Sequence, residues 1–158
     1  MPQPLLATTE DPGGGSITSR WNSHQGPDGT RLSFGGGYEP PYSMTTLNIA
    51  NGTEVRTVFT NGYPGEIRWN AGGTLIAVST YDTLRTHHET HVVDPASGVS
   101  RHLLDGCVIV WSPDGRFLAV HGETEPGIAV VDVHTGEHGQ LTHASSDAPL
   151  RWDPIGDE

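Results

Sequence analysis

The chain has 158 residues, with 8 basic and 19 acidic side chains and a formal charge of −11 at neutral pH. This balance excludes a surface that binds nucleic-acid phosphates or anionic lipid, since both need clustered basic side chains. The 21 glycines and 12 prolines disfavour helix interiors and so exclude a helical bundle. We therefore expect an all-β domain with many turns and no nucleic-acid or membrane partner.

The amino-terminal segment 1–15 lacks the basic and apolar regions of a signal peptide. No stretch approaches the roughly 18 apolar residues of a membrane span. As written, the chain is expected in the cytoplasm, whereas a fragment of a longer secreted chain would be extracytoplasmic. The lone Cys107 excludes an intrachain disulfide, and its apolar neighbours favour a buried position.

Four tryptophans recur at spacings of 48, 42 and 41 residues and indicate an internal repeat. A glycine-containing turn follows each one, and in the first three repeats an alternating apolar strand comes next. Because a Trp side chain buries about 150–250 Å², we expect each indole to pack one repeat against its neighbour. The tryptophans are Trp21, Trp69, Trp111 and Trp152, and the turn glycines are Gly29, Gly73, Gly115 and Gly156.

A second signature follows each turn by about 20 residues and predicts a hairpin. It reads LNIANG at 47–52, VDPASG at 93–98 and VDVHTG at 131–136. In each, an Asn or Asp ends an apolar strand and a glycine follows four residues later. The Asn or Asp side chain bonds turn N–H groups, and the glycine takes a positive φ. The residue pairs are Asn48 with Gly52, Asp94 with Gly98, and Asp132 with Gly136.

Each unit of about 42 residues thus has four short strands, which we call A to D. In the second unit they are expected at roughly 66–70, 74–80, 90–94 and 99–104. Four strands at this period are typical of a β-propeller blade. We expect one domain over residues 1–158 with three complete blades, at about 17–60, 65–105 and 107–143. Strands 3–10 and 148–153 would belong to incomplete blades.

The sequence WSPDGRFLAV at 111–120 resembles the TolB-like repeat, a WD40-like β-propeller repeat. Residues 69–78 fit with Asn-Ala-Gly in place of Ser-Pro-Asp, and residues 21–34 fit with an insertion. Residues 152–156 match only at Trp, Pro and Gly. The resemblance covers about 4–156 and implies a propeller that serves, in most relatives, as a platform for a protein or peptide partner.

Three blades are fewer than the roughly four to eight that usually close a propeller. Two copies of the chain completing one ring, through strands 3–10 and 148–153, are one explanation. A second propeller chain, or a longer chain of which this is a segment, is another. An open monomeric propeller is the third.

Loops between strands B and C and between D and A lie on one face of a propeller. The B–C loops are expected at about 35–43, 81–89 and 121–126, and the D–A loops at about 60–65, 105–106 and 143–148. Loops held by a rigid scaffold are usual places for function. This face therefore carries the candidate site residues.

The sequence THHETH at 86–91 places His87, His88, Glu89 and His91, which are metal-ligand types, together. Strand alternation would put Glu89 and His91 on one face and His88 on the other. The neighbouring loop adds His121, Glu123 and Glu125. Solvated histidines, acid–base or substrate contacts, and a divalent metal all remain open. A bound metal would use His88 and His121, and no other cofactor is expected.

Tyr38, Tyr42 and Tyr63 lie among glycines and prolines and suit contact with a peptide, a sugar or a flat organic ligand. A loop that folds back on its own aromatics is the alternative. The chain contains no GxSxG, P-loop or strand-linked GxGxxG motif. The leading prediction is a non-catalytic binding module for a protein or peptide partner. The alternative is a propeller enzyme acting on a small organic or glycan substrate.

Overall fold

A computed structural model describes residues 23–36, 40–82, 84, 86–122 and 127–142, and every regular element among them is a β-strand. The all-β prediction is confirmed for these residues. The part of the chain described here contains no helix that could cross a membrane. The strands are β1 (His24–Gln25), β2 (Arg31–Gly35), β3 (Tyr42–Asn48), β4 (Glu54–Phe59), β5 (Tyr63–Trp69), β6 (Ile76–Tyr81), β7 (His88–Val93), β8 (Ser100–Trp111), β9 (Phe117–Gly122), β10 (Ile128–Asp132) and β11 (His138–Thr142).

Consecutive strands pair antiparallel and form two sheets within the described ranges. The first sheet contains β1 to β4 and the second contains β5 to β11, each in chain order. The long strand β8 pairs with β7 through residues 100–105 and with β9 through residues 106–111. The second sheet therefore has two four-stranded parts that share β8.

The expected D–A loop at 105–106 is wrong, because β8 runs through it without a break. Gly106 has a φ of 141°, and a Cβ there would lie 2.3 Å from the carbonyl oxygen of His121. The carbonyl of Gly106 also accepts a hydrogen bond of 2.8 Å from the Thr90 hydroxyl. Gly106, in an extended strand, thus connects the two parts of β8 where we had expected a turn.

The three predicted hairpin turns are confirmed. The N–H of Gly52 donates to the carbonyl of Asn48 at 2.9 Å, and Gly52 has a φ of 74°. The side-chain Oδ1 of Asn48 accepts a hydrogen bond of 3.0 Å from the N–H of Ala50. The same pattern recurs at Asp94 with Gly98 and at Asp132 with Gly136.

Each tryptophan within the described ranges contacts the preceding repeat. Trp111 is 8% exposed, and its Nε1 donates to the carbonyl of Arg68 at 2.8 Å. The Arg31 guanidinium lies 4.7 Å from the Trp69 ring centre, and its Nη2 donates to the carbonyl of Gly73 at 2.6 Å. These contacts join the two sheets and the two parts of the second sheet. Trp21, Trp152 and the expected strands 3–10 and 148–153 lie outside the described residues.

Candidate functional site

Imidazole and carboxylate side chains converge where β7 begins and the first part of β8 ends. Glu89 and Asp105 are directly opposite each other on the two strands, and His87 immediately precedes β7. His87 Nε2 lies 3.4 Å from Glu89 Oε1 and 3.9 Å from Asp105 Oδ1. Candidate ligand atoms of the three residues all lie within 4.8 Å of one another.

Further groups hold the two carboxylates in place. His91 Nε2 lies 3.1 Å from Glu89 Oε2, and His102 Nε2 lies 3.1 Å from Asp105 Oδ1. From the connection between β4 and β5, the Asn61 amide donates to Glu89 Oε1 at 3.3 Å. We call His87, Glu89, His91, His102 and Asp105 the imidazole–carboxylate cluster.

The innermost pair of this cluster is Glu89 with His91, each with a side chain 13% exposed. Burial opposes ionisation of Glu89, but hydrogen bonds from Asn61 and His91 outweigh it and hold the pKa of Glu89 below its usual value. Burial lowers the pKa of His91, although Glu89 opposes this shift. The pair is thus an ionised carboxylate beside a neutral imidazole at neutral pH.

A row of aromatic rings crosses the neighbouring strand ends. The ring centres of Tyr42 and Tyr63 are 6.5 Å apart, and those of Tyr63 and Tyr81 are 5.9 Å apart. The His88 ring meets Tyr81 edge-on, with centres 4.8 Å apart. We call these four residues the aromatic row. Tyr63 is buried and the other three are half-buried.

The centre of the row is tightly enclosed. Burial raises the pKa of Tyr81 above its ordinary value, and the neighbouring Cys107 thiol adds to the shift. Gly65 on β5 leaves room for the ring, since a Cβ there would lie 1.8 Å from Tyr81 Cε2. Tyr81 is therefore fixed by its surroundings.

The structure divides the residues of the THHETH segment between two groups. His87, Glu89 and His91 lie in the imidazole–carboxylate cluster, whereas His88 packs on Tyr81. His88 and Glu89 belong to β7 and not to the expected B–C loop. His121 is exposed on β9, opposite Cys107, and is not part of the group of metal-ligand types among the described residues.

Tyr42 and Tyr63 do come together, but Tyr63 begins β5 and does not lie in the expected D–A loop. Tyr38, Glu123 and Glu125 lie outside the described residues, so their predicted roles stay predictions.

The sequence reasoning missed Asn61, Tyr81, His102 and Asp105. A signal for two of them was present in the Asp94–Gly98 hairpin. Counting outward from this turn pairs Val93 with Ser100 and His91 with His102, and a bulge then brings Glu89 opposite Asp105. The hairpin register therefore predicts the positions of His102 and Asp105 on β8. It does not predict that of Asn61, which lies before β5.

Comparison with protein-family models gives no match, and no curated protein matches the chain. Several solved structures, in contrast, are similar to the chain. TolB from Acinetobacter baumannii is similar with a TM-score of 0.57 and 16% identity, over 78% of this chain and 33% of that one. The β-propeller domain of the Trilobed protease from Pyrococcus furiosus, described as having an open velcro topology, gives 0.55 and 16%, over 77% and 40%.

An oligogalacturonate lyase in complex with manganese gives a TM-score of 0.56 and 15% identity, over 75% of this chain and 34% of that one. The chain therefore spans between a third and two fifths of the length of these proteins. At such identities the likeness concerns the fold alone, which is similar to that of TolB-like β-propellers.

Proposed function

We propose that the chain is part of a β-propeller and acts as a non-catalytic binding module for a protein or peptide partner. Its three blades would be β1–β4, then β5–β7 with residues 100–105, and then residues 106–111 with β9–β11. The pairing of β8 on both sides and the likeness to propellers support this division. The remaining blades would come from a second copy, a second propeller chain or a longer chain.

The aromatic row is the observation that carries the binding role. It places four rings in continuous contact at the edge where β5 and β7 begin and β6 ends. Aromatic side chains bind partners well because a large apolar area is presented with little conformational freedom. The half-buried rings are held by the sheet and still offer part of their surface to a ligand.

Peptide selection on the purified chain tests this role. Peptides that the wild type selects from a random displayed library are then titrated calorimetrically against four proteins. These are the wild type, Tyr42→Ala, His88→Ala and the control Val99→Ala. Val99 is 67% exposed in the turn between β7 and β8, at the opposite end of these strands. We expect Tyr42→Ala and His88→Ala to bind roughly tenfold more weakly than the wild type, a loss of about 1.4 kcal/mol in binding free energy. The control should bind with the affinity of the wild type. Equal affinity for all four proteins would contradict the proposal.

The imidazole–carboxylate cluster favours one second candidate, an enzyme acting on a small organic or glycan substrate. Ionised Glu89 and neutral His91 are both proton acceptors at neutral pH, so the pair supplies a general base. Mass spectrometry of oligosaccharide and small-ester panels incubated with the chain tests it. Turnover that is lost in Glu89→Gln would favour the enzyme over the binding module.

A further inference from the structure

We infer that His87, Glu89 and Asp105 bind one divalent transition-metal ion, and that Zn²⁺ fits them best. The site is separate from the aromatic row, because His88 and Glu89 are consecutive on β7 and point to opposite faces. It therefore goes beyond the proposed binding role and does not depend on it.

The separations of the candidate ligand atoms suit a tetrahedral ion. With zinc–ligand bonds of about 2.0–2.1 Å, neighbouring ligands lie roughly 3.3 Å apart. The distance from His87 Nε2 to Glu89 Oε1 is 3.4 Å, and that to Asp105 Oδ1 is 3.9 Å. All three candidate ligand atoms lie within 4.8 Å of one another, and the side chains of His87 and Asp105 are 45% and 43% exposed, so both have room to rotate toward an ion.

The charge of the cluster also favours a cation. Glu89 and Asp105 are opposite each other on paired strands, an arrangement in which like charges destabilise a sheet. The chain has no lysine, and none of the ion pairs seen among the described residues joins either carboxylate to an arginine. A divalent ion between the two carboxylates would turn their repulsion into attraction.

The surrounding hydrogen bonds resemble the outer layer of a metal site. His91 and Asn61 hold Glu89, and His102 holds Asp105. Such outer partners fix the orientation of ligating carboxylates. An imidazole with two carboxylates suits Zn²⁺, and three protein ligands leave one position open for water or for a ligand oxygen.

Calorimetric titration of chelator-treated protein with Zn²⁺ alone tests the site. We expect one ion per chain for the wild type and roughly a hundredfold weaker binding in His87→Ala and Asp105→Asn. His121→Ala and His138→Ala remove exposed histidines outside the cluster and are the matched controls. Both should bind Zn²⁺ as the wild type does. Thermal melts of the metal-free variants show whether each one folds.

The same melts give a second measurement. Zn²⁺ should raise the melting temperature of the wild type and both controls, and leave that of folded His87→Ala and Asp105→Asn unchanged, since only bound ligand stabilises the native state. Absence of wild-type binding would overturn the inference. Wild-type affinity for Zn²⁺ in both single variants, His87→Ala and Asp105→Asn, would also overturn it. Loss of Zn²⁺ binding in His121→Ala would do the same.

Discussion

Single aspartates close several turns of this chain by accepting more than one hydrogen bond each. Asp132 Oδ1 accepts hydrogen bonds from the N–H groups of His134 and Thr135, and its Oδ2 accepts one of 2.9 Å from Arg116 Nε. The bond from His134, followed by that from Arg116, holds the pKa of Asp132 below its ordinary 3.8. Asp114 has a lowered pKa because it accepts hydrogen bonds from the Ser112 hydroxyl and the Arg116 N–H.

These shifts predict how stability depends on pH. A carboxyl whose pKa is lowered by folding stabilises the native state above its unfolded pKa, and this contribution is lost as the pH falls through the folded pKa. We expect the melting temperature to drop below pH 3.8, the ordinary value for Asp28, Asp82, Asp114 and Asp132. Thermal melts followed by circular dichroism measure this. The drop should be smaller in Asp132→Asn, and an equal drop would contradict the assignment.

The two described tryptophans offer a matched test of the indole hydrogen bond. Trp111 Nε1 donates to Arg68, whereas Trp69 Nε1 is buried with no hydrogen-bond partner among the described residues. Replacement by Phe removes similar volume at both sites, but only Trp111→Phe leaves a carbonyl without its donor. We expect Trp111→Phe to lose about 1–3 kcal/mol more unfolding free energy than Trp69→Phe. Urea unfolding measures both, and equal losses would contradict the role of this bond.

Residue-scale features were the most predictable part of the molecule. The side chains of Asn48, Asp94 and Asp132 accept hydrogen bonds from N–H groups within three residues, so the local sequence is enough to predict them. The partner of Trp111 lies 43 residues away in the chain, and nothing next to Trp111 specifies it.

At the scale of elements, the close approach of β5 to β6 depends on Gly65. A methyl group there would overlap the Tyr81 ring, so Gly65→Ala must displace the ring or the strand. We expect it to lower the free energy of unfolding by about 1–3 kcal/mol, as overpacking does. Gly139→Ala on β11 is the control, because no atom lies within 4 Å of the added Cβ. Similar stability of the two variants in urea would contradict the prediction.

Strand positions and the three Asn/Asp–Gly hairpin turns could be read from the repeat, whereas the continuous passage of β8 through Asp105 and Gly106 could not. The expected strands at about 90–94 and 99–104 overlap β7 and β8. The Asp105–Gly106 step resembles a turn in sequence, yet here the glycine allows close strand contact. A glycine pattern alone does not distinguish these two uses.

The candidate site was only partly predictable because it combines elements from both sheets. Strand alternation along β7 predicted that Glu89 and His91 lie on the same face, as they do. It did not predict that Phe59 of β4 packs edge-on against His91, with ring centres 5.3 Å apart. Contacts of this kind require the packing of whole sheets. No local pattern around Phe59 or Asn61 points to β7.

For the whole molecule, β11 is the outermost described strand of its sheet, and Leu141 on it is 69% exposed. Unpaired edges with exposed apolar residues promote association. If two copies associate through this edge, Leu141→Arg should convert dimers to monomers in analytical ultracentrifugation. The control Val99→Arg, at another exposed site, should leave dimers intact. A wild-type monomer would contradict self-association, and unchanged dimers in Leu141→Arg would contradict this edge as the contact.

Since β8 supplies hydrogen bonds to β7 on one side and to β9 on the other, neither flank can separate without loosening the same backbone. Strands β5 to β11 should accordingly open as one cooperative foldon. Among the described residues, the first sheet is joined to it through residues 60–62 and side-chain contacts, so it can detach earlier. Amide protons of β2 and β3 would then exchange with solvent ahead of those in β6 and β9.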